Sequence, residues 1–294
     1  MVSVQKVQRG SKIYYYLEHP VRKKGKIQKK KMYLGNTIPD NIEQLKKQFL
    51  HELYKEHWFP VLNAIKKEYS KETKAMPKSS KEKELETFMI KFTYDTQRIE
   101  GSTLTLRETA DLLERGLTPK AKPVADVKEA EAHKKVFYAM LEYKKNLSLQ
   151  TVFFWHRMLL QDSKPDIAGK VRKHQVAVAG SKFMPPSPVE VDILLHNFFK
   201  WYNKAKKKLH PVELAALVHL QFVTIHPFAD GNGRISRLMM NFVLYHSKFP
   251  LFNISYTGRS GYYTALERAQ IKEEEHIFIQ WFIKRYIKGN RYKT

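Results

Sequence analysis

Cysteine is absent from the 294 residues, which removes disulfides, thiolate metal sites and thiol nucleophiles together. Uncharged apolar runs of bilayer-spanning length are also missing, and the opening ten residues lack the apolar core of a signal peptide. The expectation is a soluble, cytoplasmic protein without membrane association. No internal repeat or low-complexity tract stands out. Acidic residues are scarce: 29 Asp and Glu face 53 Lys and Arg, a net charge of +24. Such an excess favours polyanions, whether nucleic acid, nucleotides or an anionic surface. The scarcity is sharpest at the start, where residues 1–36 hold ten basic residues and Glu18 as the one acid.

The rest of the composition, 43% hydrophobic and 13% aromatic, is that of a folded protein with one sizeable core and room for a small accessory domain. The opening segment reads as a small antiparallel sheet. Val2, Val4 and Val7 precede a turn at Arg9-Gly10-Ser11, and Ile13, Tyr15 and Leu17 share one face of the next strand. A turn at Lys23-Lys24-Gly25-Lys26 leads into a third strand over 27–34, closed by Gly35. Three strands with basic turns suit a phosphate backbone, or a cap on a helical body.

Everything after this reads as helix. Pro39-Asp40 opens one with Ile42, Leu45, Phe49 and Leu53 in line, and a second begins near Pro60. The Lys- and Ser-rich stretch 70–83, with Pro77, is the best linker candidate. A stripe from Leu85 to Ile99 ends at Glu100-Gly101, where Gly101 suits a left-handed C′ position. Thr105 and Glu108 form a capping box. Further runs cover about 125–145, 149–162, 188–206, 211–225, 233–247 and 261–287. Val176 and Val178 alternate before a turn at Gly180-Ser181, and Pro185-Pro186 stops the pattern, so a short hairpin is expected there.

One loop carries chemistry. Pro227 ends the preceding helix at His226, and Gly231-Asn232-Gly233 leads directly into the next. A glycine-rich turn at a helix N-terminus offers unpaired N–H groups to an anion. Arg234 and Arg237 stand one turn apart and can face one anion. Asp230 is a hard oxygen ligand for Mg2+, and His226 can take a proton near neutral pH. These are the parts of phosphoryl transfer. Asp-Gly-Asn-Gly alone would be only a surface turn. Two arginines in a first helical turn argue otherwise, because they oppose the helix dipole unless an anion sits there.

Residues 226–234 match the Fic signature, His-Pro-Phe-x-(Asp/Glu)-Gly-Asn-(Gly/Lys)-Arg, at every specified position, and Arg237 matches its common extension. Thr96 to Gly101 resembles the family's inhibitory pattern, (Ser/Thr)-x-x-x-Glu-(Gly/Asn). Gly169 to Arg172, Val176, Val178 and Pro185-Pro186 resemble the family's flap, and Tyr262 to Leu266 the segment beside the nucleotide base. The resemblance implies a mainly α fold: a Fic helical bundle with a β-hairpin flap, plus the small N-terminal antiparallel β segment. Its domains would be a basic three-stranded module over 1–36, a helical connector over 37–85, and a catalytic domain over 86–290 that includes an inhibitory helix over 85–101.

The implied activity is transfer of AMP from ATP, with Mg2+, to a Ser, Thr or Tyr hydroxyl of a target protein docked on the flap at 174–186. His226 would be the base and Asp230 the metal ligand. Asn232 would donate to the α-phosphate, Gly231 and Gly233 would shape the anion hole, and Arg234 and Arg237 would hold the outer phosphates. Phe228, Tyr262, Tyr263 and Gln270 complete the implied nucleotide site, although core packing explains each tyrosine equally well. Glu100, with Thr96 in the same motif, would restrain activity by engaging Arg237. The resemblance also implies self-modification and, because relatives include regulatory dimers, a homodimer. AMP removal, transfer of UMP or another phosphate-linked group, and nucleic-acid binding through residues 1–36 are the competing readings. His156 and His219 lie on apolar stripes and read as core or capping residues, His174 and His246 have no motif around them, and no cluster has zinc spacing.

Overall fold

The computed structural model describes residues 2–23 and 26–292. Lys24 and Gly25, the middle of the expected second turn, lie outside the described residues. The chain divides into two compact units, residues 1–63 and 64–294.

The first unit opens with a three-stranded antiparallel sheet, β1 (Ser3–Arg9), β2 (Lys12–Lys23) and β3 (Lys26–Gly35), in sequential order. β1 sets Val4 opposite Leu17, and β3 sets Met32 opposite Leu17 from the other side. Strand alternation therefore gathers the apolar side chains on one face. There Leu17 joins Phe49 and Leu53 of the helix α1 (Ile42–Ala75), with Val4, Met32, Leu34 and Leu45 around them. A break near Pro60 does not occur: α1 runs through it for 34 residues, and the lost N–H costs only one bond of a long ladder. The linker expected over 70–83 shrinks to Met76-Pro77, since α1 reaches Ala75 and α2 (Lys78–Ile99) begins at once.

The second unit is helical. After α2 come α3 (Leu106–Arg115), α4 (Val124–Glu142), α5 (Leu149–Leu160), α6 (Val191–Ala205), α7 (Pro211–Ile225), α8 (Asn232–His246), α9 (Arg259–Ile271) and α10 (Glu275–Gly289). α2 ends in a Schellman motif, with Gly101 N–H on Arg98 O (3.2 Å) and Ser102 N–H on Gln97 O (3.0 Å). The Thr105–Glu108 capping box starts α3 as expected. The run expected over 261–287 is two helices, because Glu273 takes a positive φ of 53° and Glu274 N–H closes back on Ala269 O at 2.9 Å. α7 and α8 are buried along nearly their whole length. A helix apolar on all sides belongs inside, and α7 packs on α6, α8 and α10 while α8 packs on α2, α4 and α5. The loop between these two central helices is held from every side.

The flap segment turns at Gly180, with Ser181 N–H on Val178 O at 3.1 Å. Its arms form no strand ladder, so this is a turn with open arms and not a paired hairpin. Pro185 and Pro186 lack N–H donors, and side chains link the arms, one of them Gln175 through Nε2 to Pro185 O at 2.9 Å. Among the described residues no helix is long and apolar enough to cross a membrane.

Candidate active site

α7 stops at His226, whose backbone is left-handed (φ 52°, ψ 56°). Pro227 disfavours the right-handed helical conformation at the preceding residue, and packing holds the uncommon alternative. Two bonds fix the imidazole's setting: its backbone N–H donates to Phe222 O (3.1 Å), and Nδ1 lies 3.1 Å from Val223 O. A carbonyl can only accept, so the proton sits on Nδ1 and Nε2 keeps its lone pair. Burial pushes the His226 pKa below the ordinary histidine value, which keeps the ring neutral near pH 7.

The loop is braced internally. Asn232 accepts from Phe228 N (2.9 Å) and donates to Phe228 O (2.8 Å), so its amide staples the loop and keeps one Nδ2 hydrogen for any phosphate. The Phe228 side chain is fully buried and stacks on His156 with ring centroids 3.7 Å apart, so it packs in the core and does not line the cavity beside His226. His156 does more than pack. Its Nδ1 accepts from Gly169 N–H (2.8 Å), which leaves the proton on Nε2 to donate to Asp230 O (2.9 Å). One neutral ring thus ties the flap's base to the loop. Gly231 (φ 80°) passes against that ring, and a Cβ there would stand 3.2 Å from His156 Nε2. Arg172 is a second brace: its backbone N–H bonds Pro227 O (3.0 Å), and its guanidinium bonds His226 O (2.7 Å), His174 O (3.1 Å) and Pro186 O (2.6 Å).

Asp230 sits among cations. Lys164 Nζ contacts Oδ2, Arg234 Nη2 lies 3.0 Å from Oδ1, and Gly231 N–H donates to Oδ1 at 2.5 Å. Burial opposes ionisation, but Arg234 and Lys164 outweigh it and hold the carboxyl well below the usual range. Arg234 is itself buried against Glu129 of α4, with Gln97 at 3.4 Å. Its guanidinium joins Asp230 to Glu129, so the cation expected for the outer phosphates is here bound between two carboxylates. Among the described residues no group of three His, Asp or Glu side chains could hold a metal. A single ionised, part-exposed carboxylate suits an Mg2+ that arrives with phosphates and keeps several waters.

Arg237 keeps the expected partner. Its Nη2 lies 2.5 Å from Glu100 Oε1 and 3.4 Å from Thr96 O, and its Nη1 is 3.4 Å from the Tyr262 hydroxyl. The Thr96 hydroxyl is buried without a hydrogen-bond partner. Gly233 lies directly against this pair, and a Cβ there would make the Glu100 carboxylate shift.

Glu100, His226, Gly233 and Arg237 line one cavity of about 800 Å3, with flap residues 178–181, Tyr262, Tyr263 and Gln270 as further walls. No side chain caps the first turn of α8, so its N–H groups are open to an anion. Tyr262 is buried, its hydroxyl 2.9 Å from His219 Nε2, and burial pushes its pKa up to about 12. Tyr263 bonds Ile99 O (2.9 Å) and Gln270 bonds Thr224 Oγ1 (3.1 Å). Glu267 secures the flap tip by accepting from Ser181 Oγ (3.1 Å) and Lys182 N–H (2.6 Å).

Sequence reasoning passed over Glu129, Lys164 and Glu267, placed Arg172 in the flap without a role of its own, and took His156 for a core or capping residue. Glu129 had a signal: it lies on the α4 stripe of His133, Val136 and Met140, where a carboxylate needs a partner. Lys164, Arg172 and Glu267 depend on contacts that no local pattern announces.

Residues 146–244 match the model of the Fic/DOC family. A curated relative named protein adenylyltransferase Fic, from Drosophila ananassae, is 36% identical over 180 residues, which are 60% of this chain and 36% of that protein. One of the same name from Nematostella vectensis is 35% identical over 181 residues, 60% of this chain and 42% of that protein. This chain therefore spans less than half the length of these relatives. Among solved structures, a Fic domain containing signaling protein from Bacteroides thetaiotaomicron superposes with a TM-score of 0.67 at 28% identity, over 79% of this chain and 99% of that one. Fic-1 from C. elegans gives 0.70 at 27% identity, over 86% and 77%.

Proposed function

We propose, from the match of residues 146–244 to the Fic/DOC family model, that this chain transfers AMP from ATP to a hydroxyl side chain of a target protein. One observation carries the reading: His226, the uncapped first turn of α8 and Arg237 converge on a single cavity large enough for a nucleotide. The names of the curated relatives support it.

In the reaction the target's hydroxyl oxygen attacks the α-phosphorus and its proton passes to His226 Nε2. The bond from the α-phosphorus to the bridging oxygen breaks, and pyrophosphate leaves with that oxygen. Catalysis here is placement and charge neutralisation. The α8 N–H groups receive phosphate oxygens, and Arg237 is the cation for the outer phosphates. Asp230 would hold Mg2+, which supplies further positive charge at the phosphates, and Lys164 would move off the carboxylate. Tyr262, Tyr263 and Gln270 form the wall for the base. A target segment would lie along 174–186 by strand addition, using the open arms of the flap.

Glu100 restrains this activity by holding Arg237. Its carboxylate also faces the cavity shared with His226, which favours a second reading, AMP removal through a water that Glu100 orients. Mass spectrometry of Glu100→Gly protein after exposure to ATP and Mg2+ tests the first reading, with a Glu100→Gly/His226→Ala protein as control. Gain of AMP on Ser, Thr or Tyr in the first protein alone is the expected result. No gain on itself or on proteins of a cell extract would overturn it. Release of AMP from a modified target by the wild type would instead favour removal.

A further inference from the structure

The sheet of the first unit has two unlike faces. One carries Val4, Leu17, Met32 and Leu34 onto Phe49 and Leu53, and is closed. Strand alternation turns Tyr14, Tyr16 and Tyr33 to the other face, because Tyr16 pairs with Tyr33 and Tyr14 lies two residues along the same strand. Arg9 and Lys12, a facing pair, and Lys29 and Lys31 share that second face.

The three rings touch. Tyr33 lies 6.2 Å from Tyr14 and 5.2 Å from Tyr16 between centroids, and is itself 53% exposed. Its hydroxyl donates to Asn36 Oδ1 at 3.1 Å, which fixes the ring. Glu18 is the single acid of residues 1–36, and it bridges Lys29 (2.8 Å) and Lys31 (3.2 Å). That bridge keeps both ammonium groups on the tyrosine face and offsets one of the four charges named above. Val7, Pro20 and Ile27 are the face's apolar non-aromatic side chains among the described residues, too few for a protein or lipid contact built on apolar burial.

We propose that this face binds single-stranded nucleic acid. Phosphates would meet Arg9, Lys12, Lys29 and Lys31, and unpaired bases would stack on the tyrosine rings. An exposed ring gains most from a base whose own face is free, and a duplex hides its base faces. The inference is independent of nucleotide transfer, since it uses no residue of the catalytic cavity.

The test uses the full chain and a fluorescein-labelled oligo(dT) of about 20 nucleotides, followed by anisotropy across a salt series that starts at about 50 mM. A duplex of equal length is the comparison. The single strand should bind more tightly, and Tyr33→Ala should weaken it roughly tenfold while Tyr33→Phe retains most of the affinity. Lys29→Gln/Lys31→Gln should reduce the slope of log affinity on log salt by about 1.4, and Lys207→Gln/Lys208→Gln in the second unit should leave it unchanged. Circular dichroism establishes that each variant is folded. No binding at low salt, or equal binding of strand and duplex that ignores Tyr33→Ala, overturns the proposal.

Discussion

Glu100 and Arg237, 137 residues apart in sequence, meet carboxylate to guanidinium at 2.5 Å inside the cavity that also holds His226. A guanidinium so engaged is not free for a phosphate. Glu100→Gly should therefore raise transfer of ATP-derived label by roughly tenfold or more, equivalent to about 1.4 kcal/mol of coupling between restraint and nucleotide. The same variant leaves a buried cation without its partner. Its thermal midpoint should fall below wild type without ATP and recover more when ATP and Mg2+ are added. Equal labelling of the two proteins would remove the restraint from the account.

His226 must be neutral to accept a proton, and burial lowers its pKa. Activity of the Glu100→Gly protein should stay level as pH falls through the ordinary histidine value of about 6.5, and decline only below it. His226→Ala should cost at least roughly a hundredfold while nucleotide still shifts the thermal midpoint. A pH profile that bends above 6.5 would point to another base.

His156 acts through the loop it braces. His156→Ala unpairs Gly169 N–H and Asp230 O and removes the ring under Phe228. A loss of about 3 kcal/mol of stability is expected from the cavity and the orphaned groups. In the Glu100→Gly background transfer should fall at saturating ATP, measured below the new melting temperature. An unchanged kcat would reduce His156 to packing.

Lys164 contacts Asp230 Oδ2, so an incoming Mg2+ would have to displace it from that oxygen. Lys164→Ala should lower the Mg2+ concentration needed for half-maximal transfer severalfold, and a metal titration reads this directly. A rise in that concentration would mean that Lys164 helps to hold the phosphates.

His133 and His219 are fully buried, and burial drives both pKa values down, to about 3 for His133. Both are neutral when folded and protonate more readily when unfolded. The stability they confer is complete above about pH 6.5 and is lost as pH falls below it. His133 alone should cost about 2 kcal/mol by pH 5, seen as a falling urea midpoint. His133→Gln should flatten that fall.

Some of this was legible because it is local. The capping box of Thr105 and Glu108 spans one turn, and the loop from His226 to Arg237 holds its groups within one short span, so spacing alone announces both. The period of two along β2 puts Leu17 and Tyr16 on opposite faces, and the register agrees. Pro60 and the polar stretch 70–83 misled for the complementary reason: local propensity argues for a break, and the length of the surrounding helix outvotes it.

Residue chemistry therefore determined on its own that an imidazole, a carboxylate, a glycine-rich turn and two arginines stand together on one loop between two apolar helices. Only the tertiary structure decided what each group is free to do. Arg234 is spent on Glu129, 105 residues away, Arg237 is shared with Glu100, and Asn232 turns its amide onto its own loop. The physical reason is burial: a charge or amide taken out of water must find a partner, and that partner is set by which helices pack together, not by sequence spacing.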